Sequence, residues 1–422
     1  MSFSKKIYKN AFWMMSEKVV SIFGLFFVTS FVAKYVGPEI FGQIALSIAI
    51  FQVVQIIAQL GGDNILFKRV AKNMTSGIKL MKASRYLRAG IYILLSVPVA
   101  AYMSIGNSYS IFFWSVALSS FFSAIDMIAI FNNAQLRSKL NTYANIIGLI
   151  IGLGIRYLIA YLELDPQYLS IPIILTTLIP FLIRLTMFRS NASYNRLPIN
   201  LNMRKIKVYS KYAFLSGMGI VASSISIALY TRVNTFFLGY EHGTSLVGIY
   251  SVAATLGTSW SFIAQAITTS FYSKIYAEKE DNKALRIAAK LNRIIFLISL
   301  IMIAPLILLG QWVINLLYGQ AYALSYNAMV ILCVGSVLSA LGTVSYRYIV
   351  RLSGYAFLSK KMFSLLLISL PISYTLIHFY GVYGAAYSAV IIEFLSLTVL
   401  NYFFKRGAIW QLHKRSLFWW VK

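Results

Sequence analysis

The chain has 422 residues, of which 59% are hydrophobic and 12% are charged, and its mean hydropathy is +0.73. Soluble domains carry about 25% charged residues, so this composition excludes a soluble globular protein and indicates a chain that uses lipid as its solvent. The formal net charge of +27 is shared among many separate connections rather than gathered in one patch, and we therefore predict no nucleic-acid partner.

Apolar stretches long enough to cross a bilayer follow one another along the sequence. They are continuously apolar rather than alternating, which predicts helices and not the strands of an outer-membrane barrel. Most of the 38 Lys and Arg residues fall in alternate connections, and the positive-inside rule then places both termini in the cytoplasm. The twelve predicted spans are 12–33, 40–62, 89–105, 111–132, 143–162, 168–188, 212–237, 249–273, 294–317, 325–346, 362–380 and 384–404.

A basic segment, residues 189–211, divides these spans into two six-helix halves, residues 1–188 and 212–404, and a tail of residues 405–422 follows. We interpret the segment as a cytoplasmic linker. The tail and residues 64–88 both mix basic with large apolar side chains. This pattern fits amphipathic segments on an anionic membrane surface and equally fits solvated loops, and the sequence leaves both interpretations open.

Two connectors suggest an internal repeat. Gly37 and Gly42 join the first two spans, and Gly243 and Gly248 join the seventh and eighth with the same spacing. Both connectors follow a span that begins in the cytoplasm, so the halves would have the same orientation. We therefore expect an all-α integral membrane protein whose halves are related by a pseudo-two-fold axis along the membrane normal.

The first connector, residues 33–42, has the sequence AKYVGPEIFG. It resembles the corresponding connector of the bacterial polysaccharide exporters, the O-antigen flippases of the multidrug/oligosaccharidyl-lipid/polysaccharide superfamily. Residues 317–322 (LYGQAY) and 380–386 (YGVYGAA) also resemble that family, whereas residues 164–167 (LDPQ) lack its glycine connector.

The resemblance implies a multi-pass protein of the bacterial cytoplasmic membrane. Its substrate would be a polyprenyl-pyrophosphate-linked oligosaccharide, such as an O-antigen repeat unit, carried to the outer leaflet by alternating access through a cationic central cleft. The resemblance implies no catalytic residue, bound cofactor or metal, and allows coupling to a proton or sodium gradient. Membrane lipids and other polysaccharide-assembly proteins are the further candidate partners.

Polar stripes run along four of the spans. In span two, Gln52, Gln55, Gln59 and Asp63 project from one side of a helix with 3.6 residues per turn. Such stripes either line a wet cleft or make hydrogen bonds between helices. The other stripes are Ser115, Ser119, Ser123, Asp126 and Asn133 in span four, Ser216, Ser223, Tyr230 and Asn234 in span seven, and Ser251, Thr255, Thr258, Gln265 and Thr269 in span eight.

Four basic residues lie within spans, where a charge costs about 2.5–3.5 kcal/mol and usually faces a cavity or a partner. Arginine suits a pyrophosphate because its planar fork makes bidentate contacts with phosphate oxygens. Arg232 and Lys18 could instead extend toward the membrane surface. The candidate substrate-binding residues are Arg156, Arg184, Lys18, Arg232, Gln52, Gln55 and Gln59.

The candidate ion-coupling residues are Asp126, Glu393 and Asp63. Asp126 or Glu393 could pair with Arg156 or bind a coupling proton or cation. The alternative for each acid is a buried salt bridge that fixes helix packing.

Two other functions fit the composition. An ion-coupled drug or metabolite antiporter of the same superfamily would share the fold, but the excess of Lys and Arg favours an anionic substrate. A membrane-embedded glycan transferase would need a general base or a metal site. The three histidines, His242, His378 and His413, are scattered, and no His/Asp/Glu cluster is visible in the sequence.

Overall fold

The computed structural model describes residues 3–190 and 202–418, and every regular element in that part of the chain is helical. Short 3₁₀ turns cover Pro166–Leu169, Gln320–Tyr322 and Phe404–Arg406. The α-helices are α1 (Phe3–Gln59), α2 (Gly62–Lys72), α3 (Met74–Ser104), α4 (Ile111–Ile125), α5 (Met127–Ala134), α6 (Ser138–Tyr161), α7 (Ser170–Arg189), α8 (Met203–Glu241), α9 (Thr244–Thr258), α10 (Ser261–Ala277), α11 (Asp281–Leu317), α12 (Ser325–Arg351), α13 (Tyr355–Leu397), α14 (Val399–Tyr402) and α15 (Ala408–Leu417).

Each predicted span lies mostly within helix. Among the described residues, eight helices are long and apolar enough to cross a membrane, or nine if α9 and α10 form one span. Two of them, α1 and α13, each consist of two arms that meet at a non-helical glycine, Gly37 and Gly381. Once these arms are counted separately and α8 is included, each of the twelve predicted spans has its helix. The prediction of an all-α, multi-pass membrane protein is confirmed.

Some of the predicted spans are interrupted within their bounds. Span 111–132 is broken at Asp126, whose ψ of 71° separates α4 from α5. Span 249–273 is broken between Thr258 and Ser261, where α9 ends and α10 begins. A break inside an apolar stretch does not alter its hydropathy, so the apolar pattern alone could not locate either one.

Large apolar side chains face outward over much of the surface, for example Leu94 at 72% exposed and Leu308 at 80% exposed. Such a surface would associate nonspecifically in water, but it matches the apolar interior of a bilayer. Lipid offers no hydrogen-bond partner to backbone N–H and C=O groups. The chain therefore pairs these groups with one another within helices.

The chain divides into two compact units, Met1–Ala228 and Leu229–Lys422. In the first unit, the core contains the fully buried rings of Phe51, Phe112 and Tyr92. The Tyr92 hydroxyl donates to the Ala117 carbonyl over 2.8 Å, which satisfies the one polar atom of that ring inside the core. In the second unit, the buried core includes Leu238, Tyr322 and Met329 among other apolar residues.

The boundary between the units falls within α8, beyond the predicted linker 189–211. Of that linker, residues 191–201 lie outside the described residues, and residues from Met203 onward belong to α8. The predicted halves 1–188 and 212–404 therefore stay a prediction.

The glycines of the proposed repeat share one backbone conformation. Gly37 has φ 76° and ψ 173°, and Gly243 has φ 80° and ψ 178°. This region of φ/ψ space is essentially restricted to glycine. In the connector that lacks a glycine, Glu163 takes the positive φ instead, at 49°. A φ of that size belongs to the left-handed region that other residues can enter, which explains why no glycine is required there.

The two basic amphipathic segments are helical. Residues 64–88 fall in α2 and the first half of α3, and Leu66 and Val70 of α2 are buried. In the tail, α15 buries Ile409 and Leu412. The solvated-loop alternative is therefore wrong for α2 and α15, while contact with anionic lipid stays a prediction. Residues 419–422 lie outside the described residues.

Candidate functional site

Arg184 of α7 forms a buried ion pair with Asp126 at the break between α4 and α5. The Arg184 Nη2 atom lies 2.5 Å from Asp126 Oδ2, and Nε donates to the same oxygen over 2.7 Å. Arg184 Nη1 also donates to Asn145 Oδ1 of α6 over 2.6 Å. The two charged side chains are 8% and 6% exposed, so the guanidinium ties three helices together away from solvent.

This pairing corrects the expectation that Asp126 could pair with Arg156. It also matches the structural alternative, a salt bridge that fixes helix packing. Because the Arg184 fork is already directed at Asp126 and Asn145, binding of a phosphate by Arg184 would compete with a short buried ion pair. The substrate-binding role of Arg184 and the ion-coupling role of Asp126 stay predictions.

A second ion pair joins Asp63 of α2 to Arg88 of α3, with 2.7 Å between Oδ1 and Nη1. The Arg88 side chain is 3% exposed, whereas Asp63 is 42% exposed. A methyl group on Gly62 would lie 2.7 Å from Arg88 Nη2, so a glycine at this position leaves the guanidinium room to reach its partner. Arg88 ends the basic segment 64–88, whose sequence pattern carries no signal that this side chain is buried.

The three glutamines of span two differ in their surroundings. They lie on the second arm of α1, where Gln52 is exposed and Gln55 and Gln59 are partly buried. Gln59 lines a small cavity together with Ser84 and Arg88. Gln59 thus shares a cavity with one member of the Asp63–Arg88 pair, while Gln52 is the most accessible of the three.

Arg156 of α6 is a partly buried cation within a membrane span. It follows Gly148 and Gly152 on one face of the helix, and these glycines pack against Pro180 and Thr176 of α7. Within the described part of the chain, Arg156 has neither an ion-pair partner nor a hydrogen-bond partner, in contrast to Arg88 and Arg184.

The remaining basic candidates lie in different places. Arg232 of α8 interacts electrostatically with the Tyr250 hydroxyl of α9. Lys18 lies on the first arm of α1, and its side chain is outside the described residues. The structure therefore gives no partner for Lys18, and its proposed role stays a prediction.

Glu393 lies on the second arm of α13 and has a charged neighbour that the sequence pattern does not indicate. Lys361, on the first arm, is only 5% exposed and interacts electrostatically with the Glu393 carboxylate. Ser339 of α12 hydrogen-bonds to Glu393, and Tyr230 of α8 lies within electrostatic reach of it. The predicted span begins at residue 362, which leaves Lys361 outside the membrane. A lysine at the end of an apolar stretch carries no sequence signal that would distinguish burial from exposure.

A family model described as polysaccharide biosynthesis protein matches residues 7–272, which is more than half of the chain. The chain belongs to this family. The predicted resemblance to the polysaccharide exporters is thereby confirmed at the level of the family, and the match covers the α1 connector, the Asp126–Arg184 pair and Arg156.

Two curated relatives agree with this assignment. The capsular polysaccharide biosynthesis protein CapF of Staphylococcus aureus is 27% identical over 217 residues, which cover 50% of this chain and 54% of that protein. The chain thus spans about half the length of that relative. The probable low-salt glycan biosynthesis flippase Agl15 of Haloferax volcanii is 22% identical over 393 residues, which cover 91% of this chain and 80% of that protein.

Solved transporter structures share the fold. The lipid II flippase MurJ in an inward closed conformation gives a TM-score of 0.68 at 15% identity, covering 97% of this chain and 90% of that one. An inward-facing multidrug resistance transporter of the MATE family also gives 0.68 at 15% identity, covering 93% and 96%. Both of these solved structures are membrane transporters, and the chain shares their fold.

Proposed function

We propose that this protein is a flippase that carries a polyprenyl-pyrophosphate-linked oligosaccharide from the cytoplasmic to the outer leaflet of a bacterial cytoplasmic membrane. Its family, its likeness to the glycan flippase Agl15 and its fold similarity to MurJ support this proposal. The substrate resides in one leaflet through its lipid tail, and only its polar head needs a path across the membrane.

The observation that carries the proposal is that Arg156 has no acidic partner among the described residues. Arg88 and Arg184 are each matched by an acid within 4 Å, but Arg156 has no such acid in the described residues. An unneutralised guanidinium in a span is costly, and an anionic ligand would offset that cost. A pyrophosphate suits it because the guanidinium fork can donate two parallel hydrogen bonds to phosphate oxygens.

The proposed mechanism follows from the substrate's two parts. The pyrophosphate and sugars cannot enter hydrocarbon without losing their hydration, which carries a prohibitive cost for a charged group. A polar path through the protein replaces that hydration, while the polyprenyl tail stays in lipid. Alternating access, in which the path opens first to one side of the membrane and then to the other, moves the head without opening a continuous pore.

We further propose that Glu393 couples transport to a proton or sodium gradient. Asp126 and Asp63 are engaged in close ion pairs, whereas Glu393 has no residue within ion-pair distance in the described part of the chain and interacts with Lys361 only electrostatically. A carboxylate in that setting can exchange a proton or a cation without first breaking a short salt bridge.

The test is translocation in proteoliposomes. Purified protein is reconstituted with a fluorescent polyprenyl-pyrophosphate oligosaccharide, with and without imposed proton and sodium gradients, and an external quencher reports the leaflet of the label. We expect protein-dependent flipping, a loss of at least about tenfold in Arg156→Ala, and partial retention in Arg156→Lys, which keeps the charge but loses the fork. Arg204→Ala, which removes an exposed arginine of α8, is the control and should flip normally.

Two results would contradict the proposal. If the Arg156→Ala protein inserts into the vesicles and flips the substrate at the wild-type rate, then Arg156 does not bind the pyrophosphate during transport. Failure to flip any glycan probe, together with uptake of organic cations by the same vesicles, would favour the drug-antiporter alternative, which the MATE fold also accommodates.

A further inference from the structure

The second unit contains a polar groove that none of the predicted substrate-binding or ion-coupling residues lines. Its volume is about 110 Å³, and its walls come from α9, α10 and α12. A cavity needs on the order of 10–15 Å³ to hold one water, so the groove accommodates several waters or ligand hydroxyl groups. Its polar side chains are Thr258, Ser261, Gln265, Thr268, Ser336, Ser339 and Thr343, and no charged residue lines it in the described part of the chain.

The hydrogen bonds that the groove's hydroxyls already make decide whether they can donate to a ligand or only accept from it. Thr258 donates to the Ala254 carbonyl over 2.7 Å, and Thr343 donates to the Ser339 carbonyl over 3.1 Å. A hydroxyl has one proton and two lone pairs. Since the proton of each is held by its own helix, what remains for a ligand is acceptor capacity.

The other side of the groove follows the same rule. Thr268 donates to the Ala264 carbonyl and Ser336 to the Cys333 carbonyl, each over 2.7 Å. Ser336 also accepts from the buried Trp260 indole over 2.8 Å, which fixes the wall where α9 ends and α10 begins. Gln265 is exposed in the groove and can both donate and accept. The Ser261 hydroxyl donates to no group in the described residues and stays available as a donor. The groove therefore offers more acceptors than donors.

We propose that this groove is a subsite for uncharged sugar residues of the transported head group. The inference rests on the proposed flippase function and assigns one part of its substrate. Sugar hydroxyls are O–H donors at close spacing, and they match a wall of oxygen lone pairs. The Gln265 amide supplies the donor that a ring oxygen or a carbonyl of an acetamido group requires.

The same chemistry argues against the other polar part of the substrate. Phosphate oxygens are acceptors, and they need N–H groups or cations, which this lining lacks apart from the Gln265 amide. Ser339, which lines the groove, interacts with the Glu393 carboxylate. A small organic cation is therefore the competing occupant, and the experiment includes it.

The test compares two double variants. Thr258→Val with Thr343→Val removes two acceptors while keeping the side-chain shape, and each lost proton served only a carbonyl of its own helix. Thr186→Val with Thr398→Val is the matched control, because both hydroxyls are exposed, donate to a carbonyl of their own helix and lie outside the groove. Flipping is measured with polyprenyl pyrophosphate carrying an uncharged oligosaccharide and with the same lipid carrying no sugar, and uptake is measured with an organic cation.

For the groove variant, we expect about a tenfold rise in the apparent KM for the glycosylated lipid, the size expected for two neutral hydrogen bonds. Flipping of the sugar-free lipid should stay within about twofold of wild type, and the control variant should match wild type on both lipids. The subsite would be overturned if the groove variant lost flipping equally on both lipids. It would also be overturned if the groove variant flipped both lipids as well as wild type does. Either result would leave the flippase function standing. Loss of cation uptake alone would overturn it in favour of a cation site. If wild type flips neither lipid, the proposed function fails and the subsite fails with it.

Discussion

The Arg184 guanidinium and the Asp126 carboxylate meet at 2.5 Å in the interior of the first unit. Asp126 stands at a break between two helices, so its backbone is not held by a continuous helical ladder. The ion pair and the Arg184–Asn145 bond fix this break against α6 and α7. Replacing both members of a buried ion pair by apolar residues often costs little free energy, whereas removing one member alone is costly.

Removing one partner should therefore be costly. Arg184→Met leaves a buried, unpaired carboxylate, and Asp126→Leu leaves a buried, unpaired guanidinium, so each should lower the free energy of unfolding by about 3–5 kcal/mol. The double variant leaves no isolated charge and should recover most of that loss. Thermal unfolding of the detergent-solubilised protein measures all three.

The matched control is the exposed pair between Lys283 and Glu280, whose side chains are 63% and 54% exposed. Lys283→Ala should leave the unfolding temperature unchanged, because water and salt screen that pair. If the Arg184/Asp126 double variant were as unstable as the worse single variant, the pair would contribute stability beyond mutual neutralisation, and our account of it would be wrong.

The sequence predicted the spans well because only a few backbone structures satisfy their hydrogen bonds within lipid. Long apolar runs must become helices, and the turns at Gly37 and Gly243 need a residue without Cβ. The partners of the charged residues were not predictable. Asp126 and Arg184 are 58 residues apart, and the choice of Arg184 over Arg156 depends on how α4, α6 and α7 pack.

The same limit applies to burial at the ends of spans. Arg88 and Lys361 stand where basic residues mark the cytoplasmic side, and composition places both at the surface. Over the whole residue, including its backbone, Arg88 is 2% exposed and Lys361 is 5% exposed. Their burial depends on neighbours such as Gly62 and Glu393, which only tertiary packing brings near them.

A substitution at Gly37 tests the backbone requirement alone. A Cβ at this position would meet no atom within 4 Å, yet φ is +76°. Gly37→Ala should therefore destabilise by about 1–3 kcal/mol through strain rather than collision. Gly342→Ala is the control, since Gly342 is helical and also has open space around it. That control should be neutral or stabilising, because alanine favours a helix by about 0.5–1 kcal/mol. Equal effects of the two substitutions on thermal unfolding would contradict the strain argument.

Close approach of α6 and α7 makes a separate prediction. A Cβ on Gly148 would lie 2.5 Å from the Pro180 ring, which cannot rotate away. Gly148→Ala should force the helices apart and lower the free energy of unfolding by about 1–3 kcal/mol. A methyl group on Gly154, in the same helix, would meet no atom within 4 Å, and Gly154→Ala serves as the control. Two equally stable variants in the same unfolding assay would mean that α6 and α7 are not packed through Gly148.

The tail helix α15 should respond to pH. His413 accepts or donates at both ring nitrogens, contacting the Ser345 hydroxyl at 3.2 Å and the Tyr402 hydroxyl at 3.1 Å. Its burial lowers the pKa of His413 from 6.5 to about 4. The folded pKa lies below the unfolded one, so the unfolded tail binds a proton more readily. The stabilisation is thus fully present above about pH 6.5 and is lost as the pH falls toward about 4.

Hydrogen–deuterium exchange over residues 408–417, corrected for the intrinsic pH dependence of exchange, measures this loss. We expect protection at about pH 7.5 and a clear decrease at about pH 5, because the docked helix must release a proton that the undocked helix keeps. His413→Gln retains hydrogen-bonding capacity but cannot titrate, so its protection should be the same at both values. The Glu241–His378 pair lies elsewhere in the second unit, and a His378→Gln variant should keep the wild-type response of the tail. A tail whose protection falls equally in His413→Gln would place the titrating group elsewhere.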